Sequence, residues 1–267
     1  MRLPLSTAAA ENLRVLPETG STNDVLVAEA SAGPVADFSV VVTGNQTAGR
    51  GRLGRVWVAP AGASLAVSVL LRPVLPAGQP LEIAHFGWLP LIAGVAMTRA
   101  VQSLVPAHRV GLKWPNDVQI DGLKVSGLLA ELLPGGDAVV LGAGLNLSLT
   151  RDQLPTPVST SLALSGATLQ GDELADAALS SYLTNLRALY TDFVRLGADP
   201  VASGVAEQLD ELCTTIGQQV KVELPGAPDL LGAAVGIDAA GRLRVRRLSD
   251  GAVTAVAAGD VTHLRYE

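Results

Sequence analysis

The sequence predicts an α+β protein: a mixed sheet with helices over residues 1–214, followed by a small C-terminal β-barrel over residues 215–267. Three observations carry this reading. Up to about residue 213, strand-length apolar runs alternate with helix-length segments. From Gly217 onward the chain changes to short alternating strands with turns at PGAPD, DAAG and SDG, the pattern of a barrel of about 50 residues. Hydrophobic residues make up 48% of the 267 and charged residues 16%, which excludes a disordered chain and supplies a core for one large domain with a satellite.

In chain order, a helix follows TGSTND (19–24), capped by Ser21 or Thr22 and stopped at Gly33-Pro34. FSVVVT (38–43) and ASLAVSVLL (63–71) read as strands on either side of a glycine-arginine loop. A long helix is expected over about 82–104, and VGLKW (110–114) is a short strand ended by Pro115. Residues 118–133 hold two apolar runs split by Asp121-Gly122, a strong hairpin signal. A further strand spans 138–149 after the turn PGGD, and residues 151–159 form a Pro-rich loop. Helices are expected over about 171–197 and 200–213.

Composition narrows the function classes. Net charge is −6 and the pI about 5.1, which argues against nucleic acid as a general partner. The longest uncharged apolar run, 83–98, is too short for a membrane span and reads as a buried helix. The N-terminus has no signal-peptide core, and a single cysteine, Cys213, suits a reducing cytoplasm.

The stretch GRGRLGR (49–55) satisfies G-x-G-x-x-G through Gly49, Gly51 and Gly54. A dinucleotide loop needs a helix opening at the third glycine and an acidic residue about 20 positions on. Here a second strand follows instead, and LLRPVLP (70–76) offers no carboxylate. The glycines still allow close approach to a ligand, and the arginines provide forks for phosphate or carboxylate oxygens.

Four polar clusters fall at the ends of expected elements: STND (21–24), QTAGRGRLGR (46–55), KWPND (113–117) with LKVSG (123–127), and GAGLN (142–146). They hold Arg50, Arg52, Arg55, Lys113 and Lys124 against only Asp24 and Asp117. A cationic pocket in an acidic protein asks for an anionic small ligand such as a phosphate ester. The like charges of the loop should repel one another until a ligand orders it. His85, His108 and His263 share no metal-ligand spacing, so no protein-built metal site is expected.

These motifs, in this order, with Trp57 behind the loop and GDVTHLR near the C-terminus, closely resemble biotin protein ligases over about residues 18–265. The resemblance implies a class II synthetase-like catalytic domain and an SH3-like C-terminal barrel. It implies activation of biotin with ATP to biotinyl-5′-AMP and transfer to a lysine of a carboxylase's biotin carboxyl carrier domain. By the same resemblance Ser21, Thr22, Asn23 and Gln46 line the biotin site, and Arg50, Gly51 and Arg52 close over biotin and adenylate. Lys124 would reach the biotin carboxylate and the α-phosphate; Arg52 and Lys124 are the candidate catalytic residues. Arg55, Trp57, Asn116, Asp117, Asn146 and Arg265 are assigned to the ATP and adenylate side.

Mg²⁺ would bridge the phosphates, with Asp117 behind its water ligands. Leu53 departs from the family pattern, in which an arginine is common at that place. The STN motif beginning at 21 implies a short form without an N-terminal DNA-binding domain, and a homodimer stays open. The residues themselves also allow blander roles: Trp57 as a core anchor, Lys113 as a surface partner of Asp117, and Asn23 as part of a helix cap. A lipoate ligase, or an RNA-binding module built on the Arg-Gly loop, are the alternative functions. The 3% aromatic content and the negative charge oppose the RNA reading.

Overall fold

The structure, a computed structural model, describes residues 1–224, 228–257 and 260–263. Its elements in chain order are α1 (Pro4–Ala9), β1 (Leu13–Leu16), α2 (Thr22–Ala32), β2 (Ser39–Thr43), β3 (Gly49–Arg50), β4 (Val56–Trp57) and β5 (Ser64–Leu71). There follow α3 (Trp88–Leu104), β6 (Val110–Lys113), β7 (Asp117–Ile120), β8 (Leu123–Leu132), β9 (Val139–Asn146), α4 (Gly171–Arg195) and α5 (Val205–Leu212). The last five strands are β10 (Gln219–Glu223), β11 (Leu230–Ile237), β12 (Leu243–Arg247), β13 (Val253–Val256) and β14 (Asp260–His263).

Seven strands form the first sheet in the order β1-β2-β5-β9-β8-β7-β6, mixed because β1 runs parallel to β2 while the other pairs are antiparallel. Strand alternation sends Val40, Val42, Leu65, Val67 and Val69 to one face, where they join α3 and α4 in the main core. α3 is buried on nearly all sides, because the sheet lies beneath it and α4 and α5 flank it. On the opposite face Val41, Leu70 and Val140 meet Leu26 of α2 in a smaller cluster. Beyond that cluster the same face of β5 and β9 turns to small residues in register. Ser68 lies opposite Gly142, and Ala66 opposite Gly144, which in turn is opposite Gly127. The sheet is therefore hollowed just past the N-terminus of α2.

The Asp121-Gly122 turn is the hairpin read from sequence. Both residues have positive φ, 50° and 82°, as a tight type I′ connection between β7 and β8 requires. A Gly122→Val variant is therefore expected to lose about 1–2 kcal/mol of stability, visible as a lower midpoint in urea unfolding.

Several boundaries differ from the sequence reading. The helix expected from 82 starts at Trp88, and residues 83–85 form a single 3₁₀ turn before it. α1 and β1 were not anticipated. α1 has no side-chain cap of its own at Leu3. Instead the buried Asp176 of α4 accepts from Leu5 N (2.9 Å), Ser6 N (2.8 Å) and Ser6 Oγ (2.7 Å), so a carboxylate from across the fold satisfies the free N–H groups of the helix start.

The C-terminal strands form a five-stranded antiparallel sheet, order β13-β12-β11-β10-β14. Among the described residues its edge strands β13 and β14 are not paired with each other, so the closed barrel expected from the turn spacing is not seen. The PGAPD turn lies partly outside the described residues. Leu243 and Val245 point inward and are fully buried, while Arg244 and Arg246 point outward, the alternation read from sequence. Arg242 pairs with Asp238 and Arg247 with Asp250. Two tryptophans tie this sheet to the first. Trp88 Nε1 donates to Ala239 O at 2.8 Å, and the buried Trp114 Nε1 to Gly241 O at 3.4 Å.

Candidate functional site

The hollow in the sheet opens into a cavity of ≈ 380 Å³. Its floor is Ala66, Gly127, Gly142, Ala143 and Gly144; the N-terminus of α2, the glycine-arginine loop and the segment 155–159 are its walls. All expected site residues within the described part line this cavity: Ser21, Thr22, Asn23, Gln46, Arg50, Gly51, Arg52, Arg55, Trp57, Asn116, Asp117, Lys124 and Asn146. Arg265 lies outside the described residues. Val261 of β14 also lines the cavity, so the C-terminal sheet reaches its mouth.

The small residues are dictated by their neighbours. A Cβ on Gly144 would stand 2.4 Å from the Trp57 indole, and one on Gly142 would stand 2.3 Å from Asn23 Oδ1. Trp57 thus lies flat against β9 as a wall of the cavity and not as a core anchor. Its buried Nε1 has no hydrogen-bond partner, a donor available to a ligand acceptor.

At one end the groups are neutral and polar. Ser21 caps α2, accepting from Asp24 N at 3.4 Å, and thereby sets the first turn on which Thr22 and Asn23 sit. Thr22 N donates to Gln46 Oε1 at 2.9 Å. Gln46 is held there because residues 47 and 48 donate backbone hydrogen bonds to Thr19 and Gly20.

The loop is a short hairpin of β3 and β4, closed by Gly51 N to Arg55 O at 2.7 Å and turned by Leu53 and Gly54 with positive φ. Its arginines do not simply repel. Arg50 pairs with Asp24 and, at 2.9 Å, with Glu131. Burial works against the Arg50 charge, but the hydrogen bond to Glu131 and the two acidic neighbours outweigh it and raise its pKa above the ordinary value. Arg52 Nη1 donates to Asn116 Oδ1 at 3.0 Å, and Asn116 Nδ2 to Leu128 O at 2.9 Å. Arg50 is therefore paired with acidic neighbours, and Arg52, Arg55, Lys113 and Lys124 cluster at the other end of the cavity, four cations with Asp117 as the one carboxylate among the described lining residues.

The pairing of Asp117 also differs from the sequence reading. It takes Lys124, at 2.6 Å, although Lys113 stands opposite it across the β6–β7 ladder. Lys124 is fixed by its backbone, which donates to Val158 O and accepts from Thr160 N, so the segment 156–160 runs beside the start of β8. Asn146 Nδ2 donates to Thr160 O at 2.9 Å and anchors that segment from below. Among the described residues no group of three His, Cys, Asp or Glu is placed to hold a metal ion.

Sequence reasoning missed Ser68 and Glu131. Ser68 was visible as a polar residue inside the run ASLAVSVLL; Glu131 looked like an ordinary outward position on a strand.

A mixed sheet with a polar pocket on one face and a cationic loop closing it can bind a molecule that has a neutral polar head and an anionic tail. Known proteins share this fold. Residues 15–147 match the biotin/lipoate A/B protein ligase family and residues 215–264 the biotin protein ligase C-terminal domain. The chain is 39% identical to a biotin–[acetyl-CoA-carboxylase] ligase of Mycobacterium tuberculosis over 95% of its own length and 89% of that protein. It superposes on the biotin protein ligase of Aquifex aeolicus in complex with biotin and ATP with a TM-score of 0.69 and 26% identity, covering 96% of this chain and all of that one. The ligase of Leishmania major in complex with biotinyl-5-AMP gives a TM-score of 0.60 at 28% identity, covering 92% and 99% of the two chains. In fold, in motif order and in matched length, this chain belongs to the biotin protein ligase family.

Proposed function

We propose that the chain activates biotin with ATP to biotinyl-5′-AMP and then transfers the biotinyl group to a lysine of a biotin carboxyl carrier domain. The observation that supports this most directly is that one cavity joins a neutral hydrogen-bonding end at Thr22 and Gln46 to a cationic end at Arg52 and Lys124. The first end suits the ureido ring and the second the carboxylate and phosphates.

In the first step a biotin carboxylate oxygen attacks the α-phosphorus, the bond to the β-phosphate oxygen breaks, and pyrophosphate leaves. Charge grows on oxygens between two anions, so cations already fixed there lower the barrier. Arg52, held by Asn116, and Lys124, exchanging Asp117 for phosphate, take that role. Trp57, Asn146 and Arg265 would flank the adenylate, with Arg55 and Asn116 beside the phosphates. In the second step the acceptor amine attacks the acyl carbon and expels AMP.

Mg²⁺ accompanying ATP would shield the phosphates. Asp117 is the single carboxylate among the described cavity residues and is engaged by Lys124, so phosphate and water would supply most of the metal's ligands. The reading includes two domains, 1–214 and an SH3-like 215–267, acting in the cytoplasm as monomer or homodimer without nucleic acid. Among the described residues no helix is long and apolar enough to cross a membrane. The test is a carrier domain incubated with the protein, ATP and biotin. A mass gain of one biotinyl group is expected, and its absence, or an equal yield of lipoyl adduct when lipoate replaces biotin, would reject the reading.

A further inference from the structure

The glycine-arginine loop is fastened to the body of the protein unevenly. Among the described residues β3 and β4 pair with each other and with no further strand, and so short a ribbon has little stability of its own. Its root is fixed by backbone, through Thr47 N to Thr19 O at 2.9 Å and Ala48 N to Gly20 O at 2.8 Å. Two residues further on, the Arg50 guanidinium ties β3 to two other elements at once. Its Nη2 donates to Asp24 Oδ1 at the start of α2 and, at 2.9 Å, to both carboxylate oxygens of Glu131 near the end of β8.

The two carboxylates are out of keeping with their place. Neither Asp24 nor Glu131 lines the cavity, yet they put two negative charges beside a site for anionic molecules, and by charge alone they weaken the binding of an adenylate. Both are set in position independently of the loop. Asn23 Nδ2 donates to Glu131 Oε1 at 2.5 Å, and Asp24 stands in the first turn of α2, where the helix dipole favours its charge.

We propose that Asp24 and Glu131 are positioning residues that act as a catch for Arg50: by holding β3 down they keep the loop closed over the adenylate from its formation until the carrier domain arrives. The proposal rests on the biotin reading above. Biotinyl-AMP is a mixed anhydride; once water reaches it, water adds to the acyl carbon and expels AMP, leaving free biotin with the ATP consumed. How long the intermediate stays therefore matters as much as how fast it forms. The strength of the catch suits a part that must also open. Arg50, Asp24 and Glu131 are partly exposed, 44%, 59% and 26%, so each pair is weak by itself, and the two together shift a closed–open equilibrium by roughly tenfold. The Arg52–Asn116 bond and the packing of Trp57 on β9 fasten the loop elsewhere, so losing the catch loosens it without unfolding it.

The test compares the full-length protein with Asp24→Asn, Glu131→Gln and the double variant. Both substitutions preserve shape, and the Gln side-chain oxygen still accepts from Asn23. Radiolabelled biotinyl-AMP is formed in the site from ATP and biotin, and its release is followed after a chase with unlabelled biotinyl-AMP. Release is expected to be about tenfold faster in the double variant, with single-turnover formation within about twofold of wild type. Added salt should speed release more in the wild type than in the double variant, a difference that a loss of stability does not produce. Removal of two carboxylates would, by charge alone, slow the loss of an anion, so unchanged or slower release in the double variant overturns the proposal, as does a salt dependence equal to that of the wild type. A fall in formation rate as large as the rise in release also overturns it, because the two residues would then act in the chemistry. Should the double variant not fold, the single variants decide by the same criteria. A wild type that forms no biotinyl-AMP removes the functional reading and this inference with it.

Discussion

Lys124→Ala and Arg52→Ala are each expected to lower biotinyl-adenylate formation by at least about a hundredfold, with melting nearly unchanged. Both side chains converge on the cationic end of the cavity and on Asp117 and Asn116 respectively. Where two anions must meet, a fixed cation acts on the transition state more than on either bound substrate. Their structural contribution is small by comparison. The Lys124–Asp117 pair is partly exposed at both partners, 31% and 24%, and such pairs contribute roughly 0–1 kcal/mol. Pyrophosphate release at the wild-type rate in either variant would contradict the assignment, and a large drop in melting temperature would contradict the claim that the loss is chemical.

Trp114→Ala should produce the largest loss of stability, about 3–5 kcal/mol and on the order of 10 °C in melting temperature. Trp114 is among the largest fully buried side chains, 2% exposed. Its backbone N–H donates to Thr215 Oγ1 at 3.0 Å and its indole reaches Gly241, so one residue fills the core of the first sheet and touches the turn before β12. Calorimetry should show the deficit in the main transition; a loss below about 1 kcal/mol would mean that the two sheets are not packed through this residue.

Local chemistry made much of this molecule readable from its sequence. The Ser21 cap and the Asp121-Gly122 turn need only neighbouring residues, and each was placed to within a position. The four polar clusters were legible because polar groups at the ends of apolar elements have few reasons to be there except a site. What stayed hidden depends on partners far along the chain. α1 is held by Asp176, 170 residues from Ser6, and no pattern near Pro4 announces that. The loop was read as a set of repelling arginines because its counter-charges, Asp24 and Glu131, lie 26 and 81 positions from Arg50. Lys113 looked like the partner of Asp117 by proximity in sequence, yet the hairpin folds Lys124 back onto it. The turn spacing after 217 identified the strands of the C-terminal sheet, but whether an outer pair closes is decided by curvature, which turn residues do not encode.

The floor of the cavity has one more consequence, for how this protein can change. Gly127, Gly142 and Gly144 carry no side chain and Ala66 only a methyl group, so replacement there can add at most that one methyl's room. Apart from Ala66→Gly, substitution at these positions can only narrow the set of molecules admitted. A wider repertoire, whether drifted into or engineered, has to begin at the walls, where Trp57, Leu129 and the 155–159 segment still have atoms to give up.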